Sequence, residues 1–262
     1  MKLVLDSPIS RLAHLNADSN SGVSEFGKLL NLLQEENRQL EYALRDTLLV
    51  DEHGFQLWAL SPHSSIYEKA IESIISQIPD KNGSVQRIRP PKPNYTSVVL
   101  WIKFDDMRAL LGADLEESSE HKGWSLIISE KKSSIIDKKA EIFKVAHHGS
   151  ITGNHDDIWT ELLSKNPLCL IAPFNRSPKL PTVSDVNRIN SYSNNVYITS
   201  YGVDELEYKS SEDKVVRRKL LGRKATYFHE KYSYIRARKK TENDWEIDTY
   251  GNARLLSSMP LR

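Results

Sequence analysis

Short apolar runs of strand length alternate with segments of helical periodicity over much of this chain. Leucine spacing predicts a helix at residues 26–44, and capping patterns predict helices that open at Ser65, Asp156 and Thr182. Because a strand buries one face and a helix one stripe, such alternation favours helices packed on a sheet in a layered α/β domain. The segments predicted to be strands are 2–5, 47–50, 55–60, 98–103, 107–111, 142–146, 168–172 and 196–199.

The C-terminal part departs from this pattern because it is basic. Between Lys209 and Lys240 there are twelve Lys or Arg residues and three acids. Alternation of aromatic and basic residues at 232–238 predicts a strand, and 245–250 is its expected partner. We therefore expect an α/β domain at residues 1–204 and a basic β-rich extension, a β-hairpin, at residues 205–262.

Composition narrows the class of protein. The single cysteine, Cys169, excludes an internal disulfide and a Cys-rich zinc site, and its apolar neighbours predict a buried, inert thiol. The chain has 36 Lys and Arg against 35 Asp and Glu, so its net charge favours no particular partner. No run approaches the about 20 apolar residues of a membrane span. We expect a soluble, cytoplasmic protein that does not bind membranes.

Two of the predicted strands are followed by residues of types that often bind metal ions in proteins. Asp114 follows the strand at 107–111, and His147 and His148 follow the strand at 142–146. Ligands at strand ends are held rigidly, and carboxylate with imidazole suits zinc or manganese. Such an ion activates a bound water for hydrolysis. The alternative is a solvated aspartate in a turn and histidines that form only local hydrogen bonds.

The segments SVVLWIKFDDMRALLGADLEE (Ser97–Glu117) and FKVAHHGS (Phe143–Ser150) resemble boxes of the metallo-β-lactamase-fold hydrolases, in particular the domain of bacterial competence DNA-uptake proteins. The resemblance covers residues 57–199. It implies an αββα sandwich in which Asp114 bridges metal ions. It also implies that one histidine of the pair is a terminal metal ligand and that the other orients or contacts substrate.

The first histidine box of that family, His-x-His-x-Asp-His, is not intact in this chain. Its nearest match is HLNADSNSG, in which His14 and Asp18 fit as metal ligands but Asn16 and Ser19 replace two histidines. Asn coordinates weakly and Ser is a poor ligand at neutral pH, so one or two zinc or manganese ions would be held loosely. Because one predicted strand precedes this segment, we expect an N-terminally abbreviated metallo-β-lactamase-like fold. In addition, Leu180 stands where relatives often carry histidine.

These departures leave three explanations. The chain is a catalytically silent relative, or its first half is supplied by a partner or an upstream segment, or it is an enzyme with a reduced set of ligands. We expect a metal-dependent hydrolase of phosphodiesterase or nuclease type. The alternative is a silent subunit or adaptor that docks on a protein partner, such as an ATPase in a bacterial phage-defence complex.

Several side chains are candidates for substrate contacts. Basic residues on the proline-rich segment 87–95, expected to be an extended loop, and in the C-terminal extension would bind phosphates of a nucleic acid. The alternative for a charge run is a solvated face, and the alternative for His155 is a surface residue beside an Asp156 helix cap. The predicted catalytic residues are Asp114 and His148, and the predicted substrate contacts are Arg87, Arg89, Lys92, Ser150, His155, Arg236 and Arg238.

Overall fold

The computed structural model describes residues 42–77, 92–118, 122–200, 233–241 and 244–256. From Ala43 onward these residues belong to one compact unit. The predicted strand at 2–5 and residues 26–41 of the predicted helix lie outside the described residues. Leu44 is predicted to be helical, but it is not. Its carbonyl accepts from the Thr47 amide in a turn that leads into the first strand.

Eight strands form one mixed sheet. The first four are antiparallel neighbours, the fourth to seventh run parallel, and the last is antiparallel to the seventh. In sheet order the strands are β1 (Thr47–Glu52), β2 (Phe55–Ala59), β3 (Leu100–Phe104), β4 (Met107–Leu111), β5 (Ala140–Lys144), β6 (Leu163–Ile171), β7 (Val196–Ile198) and β10 (Arg254–Leu255).

In the described ranges three α-helices accompany the sheet, α1 (Ser64–Ile75), α2 (Trp124–Ser129) and α3 (Val183–Tyr192). The capping box at Thr182 and Asp185 that opens α3 is present as predicted. Among the described residues, no helix is long and apolar enough to cross a membrane.

One face of the sheet forms the core. A row of cross-strand neighbours on this face is buried because each residue is apolar and the pleat sends alternate side chains to the same side. Residues of α2 and α3 complete the same apolar cluster. The row is Trp101, Leu110, Phe143, Cys169 and Val196.

Burial raises the pKa of the Cys169 thiol to about 12. This thiol is fully buried, so it is neither ionised at neutral pH nor accessible to reagents. The prediction of a buried thiol is confirmed.

The C-terminal hairpin also has the predicted form. β8 (Tyr234–Thr241) pairs with β9 (Asp244–Tyr250) in a separate two-stranded sheet. Tyr234, Arg236 and Arg238 lie on its exposed outer face, as their alternation indicates. The domain boundary predicted at 204/205 lies outside the described residues.

The structure differs from the local predictions at three points. The helix predicted to open at Ser65 is present, but it starts at Ser64, because the ring of His63 accepts from the Ser65 amide and acts as the N-cap. The helix predicted from Asp156 is a single π-helical turn, Ile158–Leu162, because the chain re-enters the sheet at once as β6. In the segment expected to be an extended loop, Pro93–Thr96 forms a turn of 3-10 helix, since proline suits the first position of a helical turn.

Candidate metal centre

The carboxyl ends of β4 and β5 meet at one edge of the sheet, where the predicted ligands lie. The Gly112 amide donates to the Lys144 carbonyl at 2.9 Å, which continues the ladder past the end of β4. A Cβ on Gly112 would lie 2.8 Å from the Cβ of Ala146 and 2.9 Å from its backbone. Glycine is therefore required here for the segment before Asp114 to approach the segment before His147.

One ring nitrogen of His148, Nε2, faces Asp114. Its Nδ1 lies 2.8 Å from the carbonyl oxygen of Ala172. Because a carbonyl only accepts, Nδ1 carries a proton, and in the neutral form of the ring Nε2 is the nitrogen that can act as a ligand or base. Nε2 is 3.6 Å from Asp114 Oδ1. Two ligands of one tetrahedral zinc ion are separated by about 3.4 Å, so this pair fits two positions of one ion.

The backbone of the histidine pair is strained. His147 has φ 43° and ψ 49°, and His148 has φ 55° and ψ 20°, before Gly149 at φ 87°. This left-handed region costs about 1–2 kcal/mol for each non-glycine residue. Strain of this kind persists only where the surroundings hold it, and it is found often at functional sites. The bend points the two imidazoles at different partners.

His147 contacts the polar side chains of Glu116 and Thr152, beside the Asp114–His148 pair. Its Nδ1 lies 3.0 Å from Glu116 Oε1 and 3.0 Å from Thr152 Oγ1, and Thr152 Oγ1 donates to Glu116 at 2.8 Å. Its Nε2 is 3.5 Å from Asn94 Nδ2. The two rings therefore face different groups: His148 faces Asp114, and His147 faces Glu116 and Thr152. Which of them binds a metal ion and which contacts substrate stays a prediction.

Lys144, the last residue of β5, adds a half-buried cation at this edge. Burial lowers the pKa of its ammonium group from the usual value, and the negative charge of Asp114 acts in the opposite direction. Its Nζ donates to the Val145 carbonyl at 3.1 Å. Sequence reasoning missed this residue because its strand position alone does not show that it lies near Asp114.

Arg188 forms hydrogen bonds that hold the strained backbone bend at residues 147–149. Its guanidinium donates to the Gly149 carbonyl at 2.6 Å and to Asn154 Oδ1 at 2.7 Å, and it lies 3.2 Å from Asp185 Oδ1. The Trp159 indole donates to the same Asn154 oxygen at 2.9 Å. The i,i+3 spacing of Asp185 and Arg188 was a sequence signal for their pairing, but nothing in the sequence linked them to the histidine bend.

The remaining predicted contacts are placed as follows. Ser150 caps the short turn after the histidines through the Thr152 amide, and His155 Nδ1 accepts from the Asp157 amide in a local turn. Lys92 is exposed and lies over the Tyr95 ring at 5.2 Å, two residues before Asn94. His14, Asp18, Arg87 and Arg89 lie outside the described residues.

Arg236 and Arg238 lie on the hairpin, and both donate to Asp248, at 2.8 and 3.1 Å. Hydrogen bonds from these guanidinium groups lower the pKa of Asp248. Much of the positive charge that the sequence places on this outer face is therefore balanced by a carboxylate on the neighbouring strand.

In the described part of the chain, no group of three or more His, Cys, Asp or Glu side chains is placed to hold a metal ion. Asp114 and His148 would supply two ligands. Other positions of a four-coordinate site would be filled by water, substrate or residues outside the described ranges.

We expect Ala113→Gly to stabilise the fold. Ala113 has φ 46°, and its carbonyl accepts from the His147 amide at 2.9 Å, so the bend cannot relax without losing this bond. Glycine removes a left-handed cost of about 1–2 kcal/mol but increases the entropy of the unfolded chain, which leaves a gain of about 0.5–1 kcal/mol. Urea unfolding followed by tryptophan fluorescence measures it.

Ala109→Gly in β4 is the matched control, because Ala109 is a strand residue that lies 4% exposed. We expect this variant to lose stability, since glycine weakens a strand interior. Equal losses in both variants would show that Ala113 carries no strain.

Comparison with known proteins gives no match, since no protein-family model, no curated protein and no solved structure matches this chain. The membership inferred from residues 57–199 therefore stays a prediction.

Proposed function

We propose that this chain is a metal-dependent hydrolase of the metallo-β-lactamase type that acts on phosphodiesters. The observation that carries the proposal is the Asp114–His148 pair, in which the imidazole Nε2 lies 3.6 Å from a carboxylate oxygen. Both groups follow adjacent parallel strands, and the tautomer of His148 is fixed by a backbone carbonyl. A ligating histidine is usually held by a hydrogen bond of this kind from its other ring nitrogen.

The residues at the carboxyl ends of β4 and β5 would have different roles in phosphodiester hydrolysis. Asp114 and His148 would hold zinc or manganese, which supplies a water of lowered pKa and stabilises charge on a phosphoryl oxygen. The Glu116 carboxylate accepts from Thr152, and both lie at the His147 ring, so this ring is fixed beside the pair. Lys92 lies two residues before Asn94, which contacts His147, and its ammonium would supply positive charge for a phosphate substrate.

A silent subunit or adaptor is the second candidate. The observation that favours it is the presence of two metal ligands, rather than three or more, among the described residues. In that case the strained bend would be part of a binding surface for a protein partner, and metal would play no part.

The test uses the full chain, purified without chelator. We expect elemental analysis to find one or two zinc or manganese ions per chain, and we expect hydrolysis of bis(p-nitrophenyl) phosphate in the presence of Mn²⁺. Asp114→Asn should lose both. Asp105→Asn, in the exposed β3–β4 turn, is the matched control and should keep both. A chain that neither binds Zn²⁺ or Mn²⁺ nor hydrolyses the ester would overturn the proposal in favour of the adaptor.

A further inference from the structure

A cleft of about 940 Å³ lies at the opposite end of the parallel strands from the candidate metal centre. Its floor comes from the amino ends of β5, β6 and β7, whereas Asp114 and His148 follow the carboxyl ends of β4 and β5. Its other wall is the inner face of the β8–β9 hairpin. The lining residues that matter here are Lys138, Lys139, Lys165, Asn166, Tyr197 and Trp245.

A bulge in β6 forms one wall. Ala140 pairs with Leu163 and Ile142 with Leu168, so β6 uses six residues where β5 uses three. Residues 164–167 stand opposite the single residue Glu141, so they protrude from the ladder and carry Lys165 and Asn166 to the cleft.

The bulge is held in place by hydrogen bonds. Asn166 has φ 57°, and its side-chain oxygen accepts from the Asn194 amide at 2.8 Å and from Ser193 Oγ at 3.1 Å. A left-handed residue fixed by its own side chain gives this wall a defined shape rather than that of a loose loop.

The cleft carries excess positive charge. Three lysines line it, at 138, 139 and 165, and Glu141 is the lining carboxylate. Glu141 is already paired with Lys239 of the hairpin at 2.8 Å. Among the described residues, no carboxylate lies within ion-pair distance of Lys139 or Lys165. The Lys139 ammonium donates to the Thr160 backbone carbonyl. A carbonyl does not neutralise its charge, so both lysines can still attract an anionic ligand.

Aromatic and apolar side chains also line this cleft. Trp245 and Ile247 come from the inner face of the hairpin, and Tyr197 comes from β7. Trp245 is paired across the hairpin with Lys239, whose ammonium lies 5.8 Å from the indole. Flat apolar surface beside ammonium groups that are not paired with a carboxylate matches a ligand that has both bases and phosphates.

The basic surface continues round the bulge. Lys139 and Lys165 also border a neighbouring cavity of about 390 Å³, whose wall includes Trp159 and Tyr192. These two rings are stacked at 4.5 Å and 3°. Two adjoining cavities that share their lysines suit a strand of several nucleotides better than one nucleotide.

We propose that this cleft binds single-stranded nucleic acid, with phosphates on Lys139 and Lys165 and a base against Trp245. The site is separate from the Asp114–His148 edge, and the inference does not rest on hydrolysis there. It also moves the predicted nucleic-acid contact from Arg236 and Arg238, on the outer hairpin face, to the inner face.

Fluorescence polarisation of labelled 15-nucleotide oligo(dT) with the full chain, in EDTA, tests the cleft without metal. We expect the Lys139→Ala/Lys165→Ala double variant to bind at least about tenfold more weakly. We also expect the slope of log affinity against log salt to fall by about 1.4, which corresponds to two contacts with a single strand. The matched control is Arg238→Ala/Lys240→Ala, which removes the same charge from the outer face and should bind as the wild type does.

Each other outcome overturns the proposal. No binding by the wild-type chain would do so, as would a loss confined to the outer-face variant or equal losses in both. Competition with unlabelled ligands shows whether the cleft binds a nucleic-acid strand, a single nucleotide or any polyanion. Unlabelled oligo(dT) should displace the probe, whereas full displacement by thymidine monophosphate would identify a nucleotide site, and equal displacement by heparin would show that bases are not recognised.

Discussion

His148→Asn is expected to abolish metal binding and to lower phosphodiester hydrolysis by more than about 100-fold, whereas His147→Asn keeps the metal. The prediction rests on the different directions of the two rings, since His148 Nε2 faces Asp114 and His147 Nδ1 faces Glu116 and Thr152. Loss of a hydrogen-bond partner that orients a metal ligand lowers metal affinity or activity by about 10–100-fold. Loss of the ligand itself should therefore have a larger effect.

Asparagine is the substitution of choice at both positions. Both histidines have positive φ, and asparagine tolerates the left-handed region better than most residues, so the two variants should keep the bend. Titration calorimetry with Zn²⁺ or Mn²⁺ and the ester assay give two readouts. Loss of metal in the His147 variant with retention in the His148 variant would reverse the assignment, and unfolding of either is detected by tryptophan fluorescence.

Much of the sheet is predictable because its strands are apolar runs that end at turn residues. The β1–β2 hairpin closes with His53 and Gly54 at φ 49° and 80°, a two-residue turn that fits the twist of the strands. Helix α2 and strand β10 were not predicted, because six and two residues are too few to show a period. The second sheet of an αββα sandwich belongs to the proposed family and stays a prediction.

The candidate site is predictable in position but not in detail. Parallel neighbours bring the ends of β4 and β5 together, so Asp114 and the histidine pair had to lie close to one another. Which histidine faces Asp114 depends on two left-handed residues, and these are held by contacts from elsewhere in the chain. The Ala172 carbonyl that fixes His148 is 24 residues away. No local pattern contains this information.

Arg188→Met is expected to lower the free energy of unfolding by about 3 kcal/mol. Methionine keeps the apolar stem but removes the donors to the Gly149 carbonyl and Asn154, and it leaves Asp185 without its partner. The Asp185 side chain is 6% exposed and that of Arg188 is 17% exposed, so little water replaces the lost bonds. Breaking a buried pair costs about 3–5 kcal/mol, and the capping bonds that Asp185 retains at Thr182 favour the lower end.

Urea unfolding measures this loss, with Arg176→Met as the matched control because Arg176 is exposed on the loop after β6. We expect the control to change stability by less than about 0.5 kcal/mol. If Arg188 holds the bend, its variant should also bind Zn²⁺ or Mn²⁺ more weakly, because the His148 ring would no longer be fixed opposite Asp114. A stability loss below about 1 kcal/mol, with unchanged metal affinity, would mean that the bend is held by Ala113 and Thr152 and that Arg188 only covers it.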